Sequence, residues 1–276
     1  MSVSPTPSVD LDAYFVRIGY EGSRAPTLET LRALHERHPA AIPFEAIDVM
    51  LDRGVDIAPE AVDAKLIDAG RGGYCFEHNG LFKRVLASLG FAVESLIARV
   101  RWMAPEDAPA QPRSHMGLRV TIDGVPWLAD VGFGGCVSSD PLRMDRSEPQ
   151  PTRHVSFRLL PIAEGLRVEA LLGEKWAPLY DVCLDAQHDV DYEPPNWFTA
   201  THPDSHFRHH LMVARTTPAA QFALSNNRLT IRRPDSGEVQ RVLNADELAE
   251  VLRDVFDLPV EPSWRPLLER VAASED

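Results

Sequence analysis

The chain has 276 residues, of which 44% are hydrophobic and 25% are charged, proportions typical of a globular protein with a sizeable core. Its formal net charge of −13 argues against a nucleic-acid partner, because nucleic-acid binding needs a basic surface. No apolar run approaches the ~20 residues that span a bilayer, so we expect no membrane partner either.

The N-terminus and the cysteines predict the cellular compartment. The opening stretch "MSVSPTPSVDLDAYF" lacks both the basic and the apolar region of a secretory signal. The cysteines, Cys75, Cys136 and Cys183, are sparse and odd in number, unlike a disulfide framework. We therefore expect a reduced, cytoplasmic protein.

The N-terminal part of the chain predicts helices. Residues 27–38 place leucines at helical spacing, and this helix is expected to end before Pro39. Residues 59–70 open with proline and close with glycine, as helices commonly do. Residues 75–90 carry a third apolar face and also end on glycine, which places Cys75 at or just before a helix start.

From about residue 91 the pattern changes to alternation with frequent turn signals. The clearest unit is "SHMGLRVTIDGVPWLADV", in which Asp123-Gly124 predicts a hairpin. Two further strand pairs are predicted at residues 158–172 and 228–243, the second turning at residues 235–237. Residues 244–256 predict an amphipathic, N-capped helix.

The hairpin places two chemically important side chains on one face. If residues 123–124 form a two-residue loop, alternate side chains of the flanking strands share a face. One face is then wholly apolar and comprises Met116, Leu118, Val120, Ile122, Val125, Trp127, Ala129 and Val131. His115 and Asp130 fall on the other face as diagonal neighbours, with Cα atoms ~7–8 Å apart. A register slip of one residue would separate them.

Cys75 has the setting of a reactive thiol. A helix N-terminus, a cation or a paired histidine favours the thiolate, and the glycines of Arg71-Gly72-Gly73 allow close backbone approach to a ligand. A buried packing cysteine and a purely structural His–Asp pair remain alternatives. The order Cys75, His115, Asp130 is nevertheless that of papain-like thiol enzymes, with nucleophile, base and orienting acid.

Five ordered motifs resemble the arylamine N-acetyltransferases over most of the chain: "IPFEAID", "RGGYCFEHNGLF", "SHMGL", "LADVGFGG" and "NWFTATHPDSHF". The resemblance implies an α+β fold with a cysteine-protease-like core. Its parts would be an N-terminal helical bundle (1–89) carrying the cysteine, a central antiparallel β-barrel (90–195) carrying the histidine and aspartate, and a C-terminal α/β lid (196–276).

The same resemblance implies the chemistry and the binding residues. Acetyl-CoA would acetylate Cys75 of a Cys75–His115–Asp130 triad, and an arylamine, arylhydrazine or N-hydroxyarylamine would then take the acetyl group. The implied acceptor-binding residues are Phe44, Val100, Gly132 and Phe133. The implied coenzyme A contacts are Ser114, Gly134, Thr201 and His202. The C-terminal lid is expected to keep water from the acyl-cysteine.

Several other signals are weaker. Histidines at 202, 206, 209 and 210 have metal-compatible spacing, but no cysteine or clustered carboxylate joins them, so no metal site is expected. Glu77 and Asn79 are expected to serve packing and hydrogen bonding around the turn. An amide synthase that moves a larger acyl chain, a thiol hydrolase and a non-catalytic binding module remain alternatives to acetyl transfer.

Overall fold

The computed structural model describes residues 8–105, 109–234 and 237–274. The α-helices are α1 (Leu11–Ile18), α2 (Leu28–Ala41), α3 (Ile47–Met50), α4 (Pro59–Asp63), α5 (Cys75–Ser88), α6 (Glu193–Thr201), α7 (Ala245–Asp254) and α8 (Arg265–Ala272). The strands are β1 (Phe44–Glu45), β2 (Ala92–Val100), β3 (Arg113–Ile122), β4 (Val125–Ala129), β5 (Leu142–Arg143), β6 (Gln150–Pro151), β7 (Ser156–Ile162), β8 (Gly165–Leu172), β9 (Lys175–Cys183), β10 (Met212–Thr216), β11 (Gln221–Ser225), β12 (Arg228–Arg233) and β13 (Gly237–Val242). Within the described ranges, none of the helices has both the length and the apolar character needed to cross a bilayer.

The N-terminal helices follow the sequence prediction with two differences. The predicted end of α2 before Pro39 is wrong, because the helix continues to Ala41. His38 and Pro39 are both buried, so tertiary packing outweighs the local preference against helix before proline. The predicted helix at residues 59–70 is α4 followed by a π-helical turn over residues 64–68. The start of α5 at Cys75 is confirmed.

Eight strands form one antiparallel sheet in the order β5-β4-β3-β2-β9-β8-β7-β6. The side chain of Gln150 joins the two edge strands: it accepts a hydrogen bond from the Arg143 N–H at 2.7 Å and donates one to the Arg143 carbonyl at 2.9 Å. The sheet is therefore a nearly closed barrel, with a core of its own around Leu159 and Leu179. The predicted α+β class is confirmed.

The β3–β4 hairpin has the predicted register, with Ile122 opposite Val125. Every member of the predicted apolar face packs against the helices of the N-terminal part. Strand pairing ends at Ala129, so Asp130 lies just beyond β4, while His115 pairs with β2. The barrel thus presents the histidine and the aspartate at its boundary with the helical core.

A second sheet has the order β1-β10-β11-β12-β13, and α7 and α8 pack with it around Leu248, Phe256 and Trp264. The capped helix α7 and the β12–β13 hairpin are confirmed, although residues 235–236 of its turn lie outside the described residues. β1 comes from the N-terminal part of the chain and pairs with β10. The division of the chain after residues 89 and 195 stays a prediction.

We predict that Gln150→Ala opens the seam between β5 and β6. The side chain makes two hydrogen bonds to backbone, each contributing about 0.5–1.5 kcal/mol, so the unfolding free energy should fall by about 1–2 kcal/mol in urea titration. The matched control is Gln240→Ala, because the exposed Gln240 donates only to a neighbouring Glu238. Equal effects of the two substitutions would contradict this account of the seam.

Candidate active site

The turn before α5 is fixed by strand β1. The Glu45 N–H donates to the Gly73 carbonyl at 2.7 Å, and the Gly73 N–H donates to the Pro43 carbonyl at 3.3 Å. A Cβ at Gly72 would lie 2.1 Å from the same Pro43 oxygen, so only glycine fits there. The two glycines therefore let the chain pass close to β1 and set the position of Cys75, the first residue of α5.

Buried ion pairs stabilise this turn. Arg71 donates to Glu45 at 2.9 and 2.7 Å, and Lys65 lies 2.8 Å from Glu77 and 2.9 Å from Asp48. Burial acts to lower the pKa of Lys65, but the surrounding carboxylates raise it above its ordinary value. Glu77 also accepts from the N–H of the residue before Cys75, which caps α5. Each charge is paired, as burial requires.

His115 and Asp130 form the buried pair that the hairpin predicted. His115 Nε2 donates to Asp130 Oδ2 at 2.7 Å, and the two residues are 2% and 6% exposed. Burial acts to lower the pKa of His115, but the charge of Asp130, their hydrogen bond and a hydrogen bond to Cys75 raise it to about 10. Burial acts to raise the pKa of Asp130, but the charge and hydrogen bond of His115 lower it to about 2. The pair is therefore imidazolium and carboxylate at neutral pH.

The Cys75 thiol lies beside this pair. Cys75 is 6% exposed, and its Sγ lies 3.6 Å from the carbonyl oxygen of Ser114, one residue before His115. Because Nε2 of His115 is bonded to Asp130, the other ring nitrogen is the one left for the thiol. The Cys75 backbone N–H belongs to the first turn of α5, where helices leave donors without intrahelical acceptors. A cation beside a thiol at a helix N-terminus favours a nucleophilic thiolate.

Three further groups hold Asp130. Asn79 Nδ2 and the Gly132 N–H donate to its Oδ1 at 2.9 and 3.0 Å. His35, from α2, accepts a hydrogen bond from the Asp130 backbone N–H at 3.1 Å. A Cβ at Gly132 would lie 2.9 Å from the Cys75 Cα, so glycine allows the loop to pack directly on the head of α5.

The residues expected to bind the acceptor fall into two places near the triad. Phe133 meets the His115 ring edge-on with centroids 5.2 Å apart, and Val100 pairs with Tyr180, whose ring lies 4.8 Å from that of His115. Phe44 faces α5 through His78, with ring centroids 6.4 Å apart. It is half-buried, and its ring centroid is 5.9 Å from that of Phe207. The rings of Phe133 and Tyr180 therefore both lie against His115.

The residues expected to contact coenzyme A are less closely grouped. Ser114 touches Cys75 directly, and a Cβ at Gly134 would lie 3.4 Å from the Phe44 ring. Thr201 and His202 lie at the C-terminal end of α6, where Thr201 donates to the Trp197 carbonyl. His202 stacks on Phe198 with centroids 4.3 Å apart. Thr201 and His202 thus engage their own helix.

A buried chain of rings that the sequence did not predict lies beneath the site. The Tyr14 hydroxyl donates to His38 Nδ1 at 2.8 Å, and His38 Nε2 donates to His78 Nδ1 at 2.9 Å. His78 Nε2 ends the chain by donating to the Pro43 carbonyl at 3.2 Å, the oxygen that also holds the turn before Cys75. The spacing of His35 and His38 on one face of α2 was the available signal.

The histidines at 202, 206, 209 and 210 do not assemble a metal site. The rings of His206 and His210 stack with centroids 4.1 Å apart, and burial with the nearby histidines lowers the pKa of His206. Over residues 8–105, 109–234 and 237–274, no group of three or more histidine, cysteine or carboxylate side chains is arranged to hold a metal ion.

Known proteins resemble this chain over most of its length. A family model described as N-acetyltransferase matches residues 27–265. The arylamine N-acetyltransferase of Mycobacterium tuberculosis H37Rv is 39% identical over 92% of this chain and 90% of its own. The arylamine N-acetyltransferase / N-hydroxyarylamine O-acetyltransferase of Salmonella typhimurium LT2 is 38% identical over 91% and 89%. The structure of the Mycobacterium marinum arylamine N-acetyltransferase in complex with CoA matches with a TM-score of 0.90 and 39% identity, covering 95% of this chain and 98% of that one.

We predict opposite effects for two Gly→Ala substitutions. Gly132→Ala places a Cβ 2.9 Å from the Cys75 backbone and 3.0 Å from Asn79 Nδ2, so the unfolding free energy should fall by about 1–3 kcal/mol. Gly80→Ala is the control, because it lies within α5 with open space around it and should gain about 0.5–1 kcal/mol. Urea titration measures both, and a Gly132→Ala protein as stable as the wild type would contradict the close approach.

We also predict a loss of stability in acid from the buried histidines. Burial lowers the pKa of His35 and His78 to about 4 and, with the charge of His78, lowers the pKa of His38 well below its ordinary value. The unfolded chain takes up these protons near pH 6.5 and the folded chain does not. The unfolding free energy should therefore fall as the pH drops from 6.5 to about 4, by roughly 3 kcal/mol for His35 and for His78.

Urea midpoints between pH 7 and 4 measure this slope. In His38→Gln the slope should be shallower than in the wild type, whatever the stability at pH 7. The control His188→Gln, at an exposed site, should keep the wild-type slope. Parallel slopes in all three proteins would show that the buried histidines do not set the acid limit.

Proposed function

The chain belongs to the arylamine N-acetyltransferase family, and we propose that it transfers the acetyl group of acetyl-CoA to arylamines, arylhydrazines or N-hydroxyarylamines. The observation that carries this proposal is the buried Cys75–His115–Asp130 arrangement at the head of α5. The named activity of the relatives and the coenzyme A bound to the M. marinum structure support the donor and the acceptor.

The first half-reaction acetylates Cys75. Cys75 reacts as the thiolate, with its proton held on His115. Its sulfur attacks the thioester carbonyl, and a new S–C bond forms as the bond from carbon to the coenzyme A sulfur breaks. The His115 imidazolium, with a pKa of about 10, gives its proton to the departing thiolate. The Cys75 backbone N–H, at the helix N-terminus, stabilises the oxyanion, a contribution of about 3–4 kcal/mol in other enzymes.

The second half-reaction releases the amide. Arylamines are weak bases and remain largely neutral at pH 7, so their nitrogen can attack the acetyl-cysteine carbonyl. His115, now neutral, accepts the proton lost by the nitrogen, and the Cys75 thiolate leaves. Asp130 keeps the ring oriented and stabilises the imidazolium that returns. Both substrates use one site in turn, so the kinetics should be ping-pong.

The surroundings of the triad suggest where the substrates lie. We assign the acceptor ring to the aromatic surfaces of Phe44 and Phe133, with Val100 and Gly132 completing the pocket. We assign the coenzyme A contacts to Ser114, Gly134, Thr201 and His202. The support is direct for Ser114, which touches the thiol, and weaker for the pair at the end of α6.

Two broader features complete the proposal. We propose a helical part (1–89), a barrel (90–195) and a C-terminal lid (196–276), with the lid excluding water from the acetyl-cysteine. We also propose a cytoplasmic location, since Cys75, Cys136 and Cys183 are all free thiols, as a reducing compartment would keep them.

We predict that acetyl-CoA alone leaves one acetyl group on the Cys75 peptide, detected by mass spectrometry of the intact and digested protein. Addition of an arylamine should remove this group and yield the amide. The control Cys183→Ala should label fully, because Cys183 lies outside the triad, whereas Cys75→Ala should not label.

Three outcomes would contradict the proposal. Acetylation of a different cysteine, or transfer that survives in Cys75→Ala, would overturn the nucleophile. Labelling only by long-chain thioesters would indicate an amide synthase. Loss of the acetyl group at the same rate with and without amine would indicate a thiol hydrolase.

A further inference from the structure

We propose that Asn79 is a positioning residue of the acetyl-transfer site, which holds the Asp130 carboxylate in the orientation that His115 requires. The proposal rests on the proposed function, because it gives Asn79 a part in the same reaction. It goes beyond the packing and hydrogen bonding around the turn that the sequence suggested for this residue.

Asn79 is fully buried and lies one helical turn after Cys75 on α5. Its amide nitrogen donates to Asp130 Oδ1 at 2.9 Å and to the Met116 carbonyl at 2.7 Å. Its amide oxygen accepts from the Val131 N–H at 3.1 Å. Both N–H groups of the amide are thus used, and its oxygen is used as well.

These partners are the immediate neighbours of the triad. Met116 follows His115 in β3, and Val131 follows Asp130 in the loop after β4. One side chain on the helix of the nucleophile therefore fixes the backbone beside the base and beside the acid. Asn79 lies on α5 and hydrogen-bonds both to β3 and to the loop after β4, so one side chain links all three elements.

The Asp130 carboxylate needs such a restraint. Its terminal torsion is intrinsically broad, and only Oδ2 bonds His115. Asn79 and the Gly132 N–H together occupy Oδ1, so the carboxylate cannot rotate without losing two hydrogen bonds. The Asn79 donor also acts with His115 to lower the pKa of Asp130, which keeps the acid charged opposite the imidazolium.

An asparagine that serves only the fold would affect stability alone. A positioning residue would also affect the reactivity of Cys75, so the experiment measures both. The variants are Asn79→Ala and Asn79→Asp, the second of which keeps the size and the acceptor but loses both donors. The control is Asn227→Ala, a buried amide that donates to the carbonyls of Ala272 and Ser274. Each protein is tested for its urea midpoint and for the rate at which iodoacetamide alkylates Cys75 between pH 5 and 9. The Cys75 peptide is quantified by mass spectrometry, and kcat/KM for arylamine acetylation is measured alongside.

In both Asn79 variants, we expect alkylation at pH 6 and acetyl transfer to fall on the order of 10²-fold, the effect of misplacing a catalytic group by about 1 Å. Asn227→Ala should lower the urea midpoint and leave the alkylation profile unchanged.

Asn79 variants that lose stability but keep the wild-type alkylation profile and kcat/KM would overturn the proposal. If Asn79→Ala does not fold, the near-isosteric Asn79→Asp decides alone. If the wild-type protein does not acetylate arylamines, the proposed function fails. The alkylation profile, which needs no acetyl donor, then still decides whether Asn79 orients the pair.

Discussion

The structure depends on one buried hydrogen bond between opposite charges, the 2.7 Å contact from His115 to Asp130. Removing two charges from water costs several kcal/mol per ion, and their attraction offsets this only when the remaining polar atoms are also satisfied. Here they are. The second oxygen of Asp130 receives two N–H groups, and the ring of His115 turns its other nitrogen towards Cys75. Packing therefore favours the charged forms of both residues, the imidazolium of His115 and the carboxylate of Asp130.

The need to bring His115 and Asp130 together explains much of the surrounding architecture. Cys75 begins a helix, His115 lies within a strand and Asp130 follows another strand, so three elements must meet within hydrogen-bonding distance. Glycine makes the meeting possible at two points, where Gly72 passes the Pro43 carbonyl and Gly132 packs on the Cys75 backbone. The barrel contributes strand β3 and the loop after β4. The N-terminal helices pack against the apolar face of this hairpin.

Local sequence patterns were enough to predict the contact between His115 and Asp130 and the hairpin that carries it. The Asp-Gly turn and strict alternation determined the β3–β4 register, because a single slip would have exposed eight apolar side chains. The start of α5 at Cys75 followed from helical spacing and the glycine turn. The prediction at Pro39 was wrong because burial of that turn overrides the local preference.

Contacts between distant residues could not be predicted in the same way. A buried polar side chain such as Asn79 or Tyr14 has many partners compatible with the sequence, and only the packed fold selects among them. The same holds for β1, whose two residues join a sheet formed more than 160 residues later. Residue types and spacing thus predicted that His115 and Asp130 meet, while the side chains that hold them in place emerged only from tertiary packing.

The most direct test of the central claim is the protonation state of His115, read by NMR of protein labelled with ¹⁵N in the histidine rings. The account predicts that His115 remains an imidazolium through neutral pH, with a titration midpoint at about 10 and its Nε2 proton bonded to Asp130. A neutral ring at pH 7 that titrates near the ordinary value of about 6.5 would contradict it.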